Sequence, residues 1–406
     1  MGRVRHDRAM SGPLEGLRVI DASSVIAGPL SAQILGDYGA DVIKIEHPKI
    51  GDSLRSMGAR KGDVGLWWKL MGRNKRTVGL YLGDPEGAKI FEKMVATADV
   101  VIQNFRPGTF ERWGLGFDRL SEINPGLVLM SISGFGPDGP YRDRPGFGTL
   151  AESMSSFAAM TGPADGPPTL PPLGLADTMA GMTTVSGILM ALRHRDQTGE
   201  GQEVSINLVE PIMLSLGPIP ISYDQLGEVP ERLGNRSRNT APRNTYLCSD
   251  DTWVALSSAS TATAARAMTL VGHAEVIDEP WFETGVGRAE NAELLDGYVQ
   301  AWVGARTRDQ VLEECRKAEV VMGAIYDIAD LFADPQVEAM EMLTDVEDED
   351  LGTVRMQNLM LHFSASPGAI RFTGRPLGAD TEDILVGELG VSRDELADLR
   401  ERGIAK

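Results

Sequence analysis

The feature that most constrains this chain is an alternation of short apolar runs with helical patterns through its first two-fifths. Leu17–Ala22 (LRVIDA) reads as a strand, Pro29–Tyr38 has helical spacing, and Asp41–Glu46 (DVIKIE) reads as a second strand. Asp84-Pro85-Glu86 marks a helix start, because an Asp side chain accepts from free first-turn amides and the fixed φ of proline suits that turn. This helix runs to about Thr97, and Asp99–Gln103 and Gly126–Ser133 supply the next strands. Such alternation predicts an α/β fold, a doubly wound and mostly parallel sheet with helices on both faces. Sheets of this kind bind ligands beyond the carboxyl ends of the strands, where the loops converge.

At 406 residues the chain exceeds one ordinary core, which predicts two domains. Two Pro/Gly-rich stretches, Gly134–Gly146 and Gly162–Gly174, lie between apolar segments and read as ordered loops beside a site. After Asp177 a helix is predicted to about Arg195, with Met179, Met182, Val185, Ile188, Leu189 and Leu192 on one stripe. Gln202–Val209 then reads as a strand. Between Tyr223 and Asn244 the composition turns polar, and the boundary is placed there. This gives a large domain over 12–222, a smaller α+β domain over 223–335, and a segment, 336–406, that returns to the first. Within the small domain Thr252–Ser258 reads as a strand and Thr261–Leu331 as mostly helical. Asp345–Asp350 (DVEDED) reads as an exposed turn, and Ser392 caps a last helix ending near Arg402.

The net charge of −19 argues against a nucleic-acid partner, whose phosphates want a basic face. Against that background Lys44–Arg76 holds nine basic residues and three acidic ones, 9 − 3 = +6, and reads as a local site for an anionic small ligand. No run of 18 apolar residues occurs; Leu208–Tyr223 is broken by Glu210, Pro211, Pro218 and Pro220, so no membrane span is expected. Met1–Met10 has no apolar stretch behind its basic residues, so it reads as a loose tail and not a secretory signal. Cys248 and Cys315 stand outside any Cys-x-x-Cys pattern, which fits a reduced, cytoplasmic setting. Gly134–Gly139 (GFGPDG) matches the spacing of a dinucleotide loop, but Pro137 and Pro140 make it a turn and not a helix opening. P-loop and Gly-x-Ser-x-Gly patterns are absent, and the five histidines lack metal-ligand spacing, so no metal site is expected.

Several segments then line up in one order along nearly the whole chain. They begin with Ile26-Ala27-Gly28-Pro29, Val42-Ile43-Lys44-Ile45-Glu46, Asn74-Lys75-Arg76 and Asn104-Phe105-Arg106-Pro107-Gly108. They continue with Ile132-Ser133-Gly134-Phe135-Gly136, Ala176-Asp177, Thr198-Gly199-Glu200-Gly201-Gln202, Arg232-Leu233-Gly234-Asn235 and Pro376-Leu377-Gly378. In this set the chain resembles the class III coenzyme A transferases, the family of formyl-CoA transferase and the carnitine and bile-acid CoA-transferases. The resemblance implies a Rossmann-like large domain, a smaller domain, and two chains interlocked as a homodimer. It implies acyl-CoA and a carboxylic acid as substrates, with no permanently bound cofactor.

By the same resemblance Asp177 is the nucleophile. A carboxylate can hold an acyl group while two acids exchange, and a free Asp is ionised at neutral pH without help. Its place before a helical stripe also suits an N-cap, and the two roles are compatible. Val25, Ala27, His47, Lys75, Asn104, Phe105, Arg106 and Arg112 fall on positions that contact CoA in the family. His47 stands where some members have arginine. The racemase branch of the same superfamily uses a histidine within Gly-His-Asp. Here the segment is Pro145-Gly146-Phe147-Gly148, and Phe147 cannot carry a proton, which favours the transferase. Gly148 and Glu152 point to an acyl pocket of a different shape. Arg236, Arg238 and Arg243, beside Asn235, stand where formyl-CoA transferase has a glycine run, and they read as clamps for a dicarboxylic substrate.

Overall fold

The computed structural model describes residues 12–406; the tail Met1–Met10 lies outside the described residues. Six strands form one sheet: β1 (Arg18–Asp21), β2 (Asp41–Glu46), β3 (Lys75–Gly79), β4 (Val100–Gln103), β5 (Val128–Ser133) and β6 (Gln202–Asn207). The order is β3-β2-β1-β4-β5-β6, and every neighbouring pair is parallel. The helices that matter for the site are α1 (Ala27–Asp37), α2 (Pro85–Val95), α3 (Gly148–Met154) and α4 (Leu175–Thr198). Asp84 caps α2 by accepting from the Glu86 amide at 2.9 Å, as the sequence predicts.

Because successive side chains on a strand point to opposite faces, the sheet feeds two cores. Ile20, Ile43, Val78 and Val101 pack with Ile90 and Phe91 of α2 and with Leu396 and Leu399 near the C-terminus. Val19, Val42, Val100 and Val128 pack with Ala27 and Leu35 of α1 and Ala180 and Ile188 of α4. By length and composition α4 is apolar enough to cross a membrane. It is instead a layer helix: Ala176, Ala180, Gly181, Thr184 and Ile188 are buried. At Gly181 a Cβ would stand 2.8 Å from the Ala27 carbonyl oxygen, so glycine is what lets α4 lie this close to α1.

Most of the basic segment Lys44–Arg76 is spent on internal carboxylates, which accounts for six of its nine cations. Lys44 and Lys75 are fully buried. Lys75 Nζ lies 2.9 Å from Asp21 and donates to the Pro29 carbonyl at 2.6 Å. Lys44 Nζ lies 3.0 Å from Asp52 and 3.6 Å from Asp21. Arg55 pairs with Glu46 at 2.7 Å, Arg73 with Asp37 at 2.6 Å, and Arg76 with Asp41 at 2.6 Å. Lys69 sits 2.7 Å from both Asp348 and Asp350. The acidic run read as an exposed turn is therefore also corrected. Leu343–Asp348 pairs with Gly352–Gln357 as an antiparallel hairpin, and Asp348 is buried as the counterion of Lys69.

Close packing divides the chain into two units. One comprises the residues through Phe157, then Pro171–Pro220 and Glu338–Lys406; the other comprises Ala158–Leu170 and Ile221–Val337. The second unit holds an antiparallel sheet of Arg243–Leu247, Trp253–Ser257 and Met322–Ala324. Helices Thr261–Leu270, Ala292–Gly304 and Arg308–Lys317 accompany it. Its first strand begins at the end of the polar stretch read as a boundary, and its last interrupts the stretch read as helical.

The burial of Lys75 makes a direct prediction. Lys75→Met leaves Asp21 short of a counterion in the interior and is expected to destabilise the fold by about 3–5 kcal/mol. The same change at exposed Lys49 stays within about 0.5 kcal/mol. Chemical denaturation of the two variants checks this, and equal small effects would contradict the buried pairing.

Candidate active site

The strand order reverses between β1 and β4, the position at which a doubly wound sheet opens a crevice. A cleft lies there, at the carboxyl ends of β1, β4 and β5, and Val25, Asn104, Phe105, Arg106, Arg144 and Asp177 are among its lining residues.

The loop after β1 is held from below. Ser23 donates through its amide and hydroxyl to Asp21, and Lys44 donates to the Ser23 carbonyl. Val25 then adopts φ 69°, the left-handed region that a β-branched residue ordinarily avoids. Three contacts hold it: the Val25 amide donates to Asp52 at 3.3 Å, the Ser24 amide to Asn104 Oδ1 at 2.8 Å, and Asn104 Nδ2 back to the Ser24 carbonyl at 2.7 Å. Asn104, just past β4, thus stitches the two loops together across the reversal. Strain of this kind collects at working sites, where the surroundings determine the backbone.

Five of the eight positions expected to meet CoA line the cleft: Val25, Ala27, Asn104, Phe105 and Arg106. Phe105 is fixed by Trp113, edge to face at 4.9 Å, and by Phe110, stacked at 5.5 Å. The other three stand elsewhere. Arg112 is exposed and donates to Thr109 at 2.8 Å. His47 is half-buried, its ring 5.0 Å from that of Tyr81. Lys75 has no surface to offer a phosphate, because its ammonium is committed to Asp21 and Pro29. Arg236, Arg238 and Arg243 are likewise engaged: with Asp296 at 2.7 Å, with Glu231 at 3.9 Å, and with the carbonyls of Asn235 and Arg236.

Asp177 is the third residue of α4 and not its cap; the N-cap is Gly174, which has no side chain to give. One orphan amide of that turn, Ala176 N, goes instead to Glu152 of α3 at 3.2 Å. The backbone of Gly148 donates to Asp177, and a Cβ on Gly148 would stand 2.3 Å from Asp177 Oδ2. Only glycine lets that strand of backbone lie against the carboxylate. Burial raises the Asp177 pKa to about 6; Glu152 adds to the rise and the Gly148 hydrogen bond partly offsets it. The expectation of an ordinary carboxylate is therefore corrected. Burial leaves this group poorly solvated and more basic, which strengthens it as a nucleophile. Gly148 and Glu152 drew notice in the sequence only as a change of pocket shape. Their direct roles follow from α3 packing on the first turn of α4, a contact that sequence spacing does not reveal.

The model of CoA-transferase family III matches residues 14–381 of the chain. Succinyl-CoA--L-malate CoA-transferase beta subunit of Chloroflexus aurantiacus is 40% identical, covering 97% of this chain and 98% of the relative. Succinyl-CoA--D-citramalate CoA-transferase of the same organism is 36% identical over 97% and 98%. The crystal structure of a CAIB/BAIF family protein from Brucella suis superposes with a TM-score of 0.82 at 31% identity, covering 93% of this chain and all of that one. The cleft at the strand reversal, with a carboxylate on the first turn of a long helix, is thus found in a chain that belongs to CoA-transferase family III, and the protein is a CoA-transferase of class III.

Proposed function

We propose that this enzyme moves CoA from an acyl-CoA thioester to a carboxylic acid by covalent catalysis on Asp177. The observation that carries the reading is the half-buried Asp177 carboxylate in the cleft, backed by the Gly148 amide and raised to about 6. The carboxylate attacks the thioester carbonyl and expels CoA thiolate, leaving a mixed anhydride. The thiolate attacks the aspartyl carbonyl, releases the first acid, and forms an aspartyl thioester. The incoming acid attacks that thioester, regenerating thiolate and a new anhydride. The thiolate then takes the new acyl group and frees Asp177. Each attack passes through an oxyanion, which a backbone donor stabilises.

A succinyl thioester and a small dicarboxylic or hydroxy acid are the substrates we favour, because the two Chloroflexus relatives are named for succinyl-CoA with malate or citramalate. We read the active form as an interlocked homodimer working in the cytoplasm. Met182, Leu189 and Met190 on α4 are exposed and suit burial against a second copy. Buried, unpaired Cys248 and Cys315 suit a reducing compartment. Light scattering is expected to give twice the chain mass, and a monomeric mass with full activity would refute the dimer.

Two measurements test the chemistry. Intact-mass spectrometry after mixing with succinyl-CoA is expected to show a CoA adduct that hydroxylamine removes, and Asp177→Ala is expected to show none. An adduct persisting in Asp177→Ala would remove Asp177 from the pathway. In pH profiles the nucleophile must be ionised, so kcat/KM is expected to fall as pH drops through about 6. Glu152→Gln keeps an acceptor for the Ala176 amide and removes the neighbouring charge, so the acid limb should move to lower pH. A limb that stays in place would show that Glu152 does not act on Asp177.

A further inference from the structure

The loop Gly134–Gly146 bears on which acid the cleft accepts. Its two ends touch: a Cβ on Gly134 would stand 2.6 Å from Gly146 Cα, and one on Gly146 would stand 2.7 Å from Gly134 Cα. Closed at its feet in this way, it is an Ω-loop set on the end of β5. It carries Arg142 and Arg144, and both line the cleft that holds Asp177. Neither forms an ion pair or a side-chain hydrogen bond among the described residues. In a chain of net charge −19, with Arg236 already held by Asp296, these guanidinium groups are positive charge without a carboxylate partner among the described residues, on the lining of the cleft that holds Asp177.

The two arginines differ in what they face. Arg142 Nη2 and Arg112 Nη1 would each stand 3.4 Å from a Cβ on Gly108, so Arg142 leans toward the Asn104–Gly108 loop. Arg144 lies over the ring of Tyr141 at 3.7 Å, and Tyr141 is braced edge to face by Phe135 at 5.9 Å. Stacking occupies the guanidinium face and leaves its in-plane N–H groups free, a fork that matches a carboxylate bidentately. Arg144 is four residues before Gly148, whose backbone touches Asp177, and four residues span at most roughly 14 Å. A short diacid joined to Asp177 through one carboxyl carries its other carboxylate only a few carbon–carbon bonds away, and the long, flexible Arg144 side chain supplies the rest of the reach within the shared cleft. The diphosphate of CoA, at the far end of the pantetheine arm, is the poorer match.

We propose that Arg144 holds the remote carboxylate of a dicarboxylic acyl group and thereby selects diacids over monoacids. The proposal rests on Asp177 as the nucleophile. The test compares succinyl-CoA with butyryl-CoA, which has the same carbon count and no second carboxylate, as donors to full-length protein. In a double-displacement reaction kcat/KM for the donor reports only the first half-reaction, so the acceptor does not confuse the result. Arg144→Gln is expected to lower kcat/KM for succinyl-CoA about 10- to 100-fold and to leave butyryl-CoA within about twofold. Arg144→Lys should recover part of the loss, and thermal melting should match wild type because Arg144 is exposed. Equal losses on both donors, no loss on either, or a wild-type preference for butyryl-CoA would overturn the clamp. If the Asp177 adduct forms and Arg144→Gln leaves discrimination unchanged, the clamp alone fails. If neither donor yields an Asp177 adduct, the catalytic reading fails and takes the clamp with it.

Discussion

The sharing of Asp21 between two buried lysines is the interaction on which the rest of the site depends. Asp21 ends β1, and Lys44 and Lys75 reach it from β2 and β3. Burial works to raise its pKa, yet Lys44 and Lys75 outweigh burial and hold the carboxyl below its ordinary value. Removing such charges from water is expensive, and a buried ion pair is weak evidence of net stabilisation. What this one supplies is position. It ties the end of β1 to the middle of β2 and the start of β3, and through Ser23 it fixes the turn that sets Val25 in its strained conformation.

A second carboxylate on the same unit shows the opposite arrangement. Asp177 has no cation among the groups that shift it; burial and Glu152 both raise its pKa, and only the Gly148 backbone works against them. One aspartate is thus held firmly ionised as structure, and the other is held reluctant to ionise. Environment alone assigns the two roles, since the side chains are identical.

How much of this was legible follows from where each residue finds its partners. The strands that became β1, β2, β4 and β5 are runs of Val, Ile and Leu bounded by turns, so local pattern suffices. β3 reads KRTVG, and its two basic residues read as part of an anion site because their counterions, Asp21 and Asp41, lie on other strands. The hairpin of Leu343–Gln357 was hidden for the same reason: Asp350 meets Lys69, 281 residues away. Asp177 was singled out by its motif, and the rise in its pKa was not foreseen because Glu152 and Gly148 come from another helix. The arginines of the Ω-loop were visible as letters. What set them apart from Arg236 and Arg243 was that, among the described residues, neither guanidinium meets a carboxylate or a carbonyl, which is a property of three-dimensional neighbours.

The touching glycines at the feet of the Ω-loop have a consequence for how this protein can change. A loop closed on itself by backbone contact transmits little of what happens at its tip into β5 or α3. Residues 137–144 can therefore be rewritten as a cassette that alters one wall of the cleft, where Arg142 and Arg144 stand, with β5 and α3 left as they are. If Arg144 recognises the acid and Asp177 activates it, as proposed, the two tasks lie on separable parts, and other acids can be sought by randomising a surface segment without reopening the core.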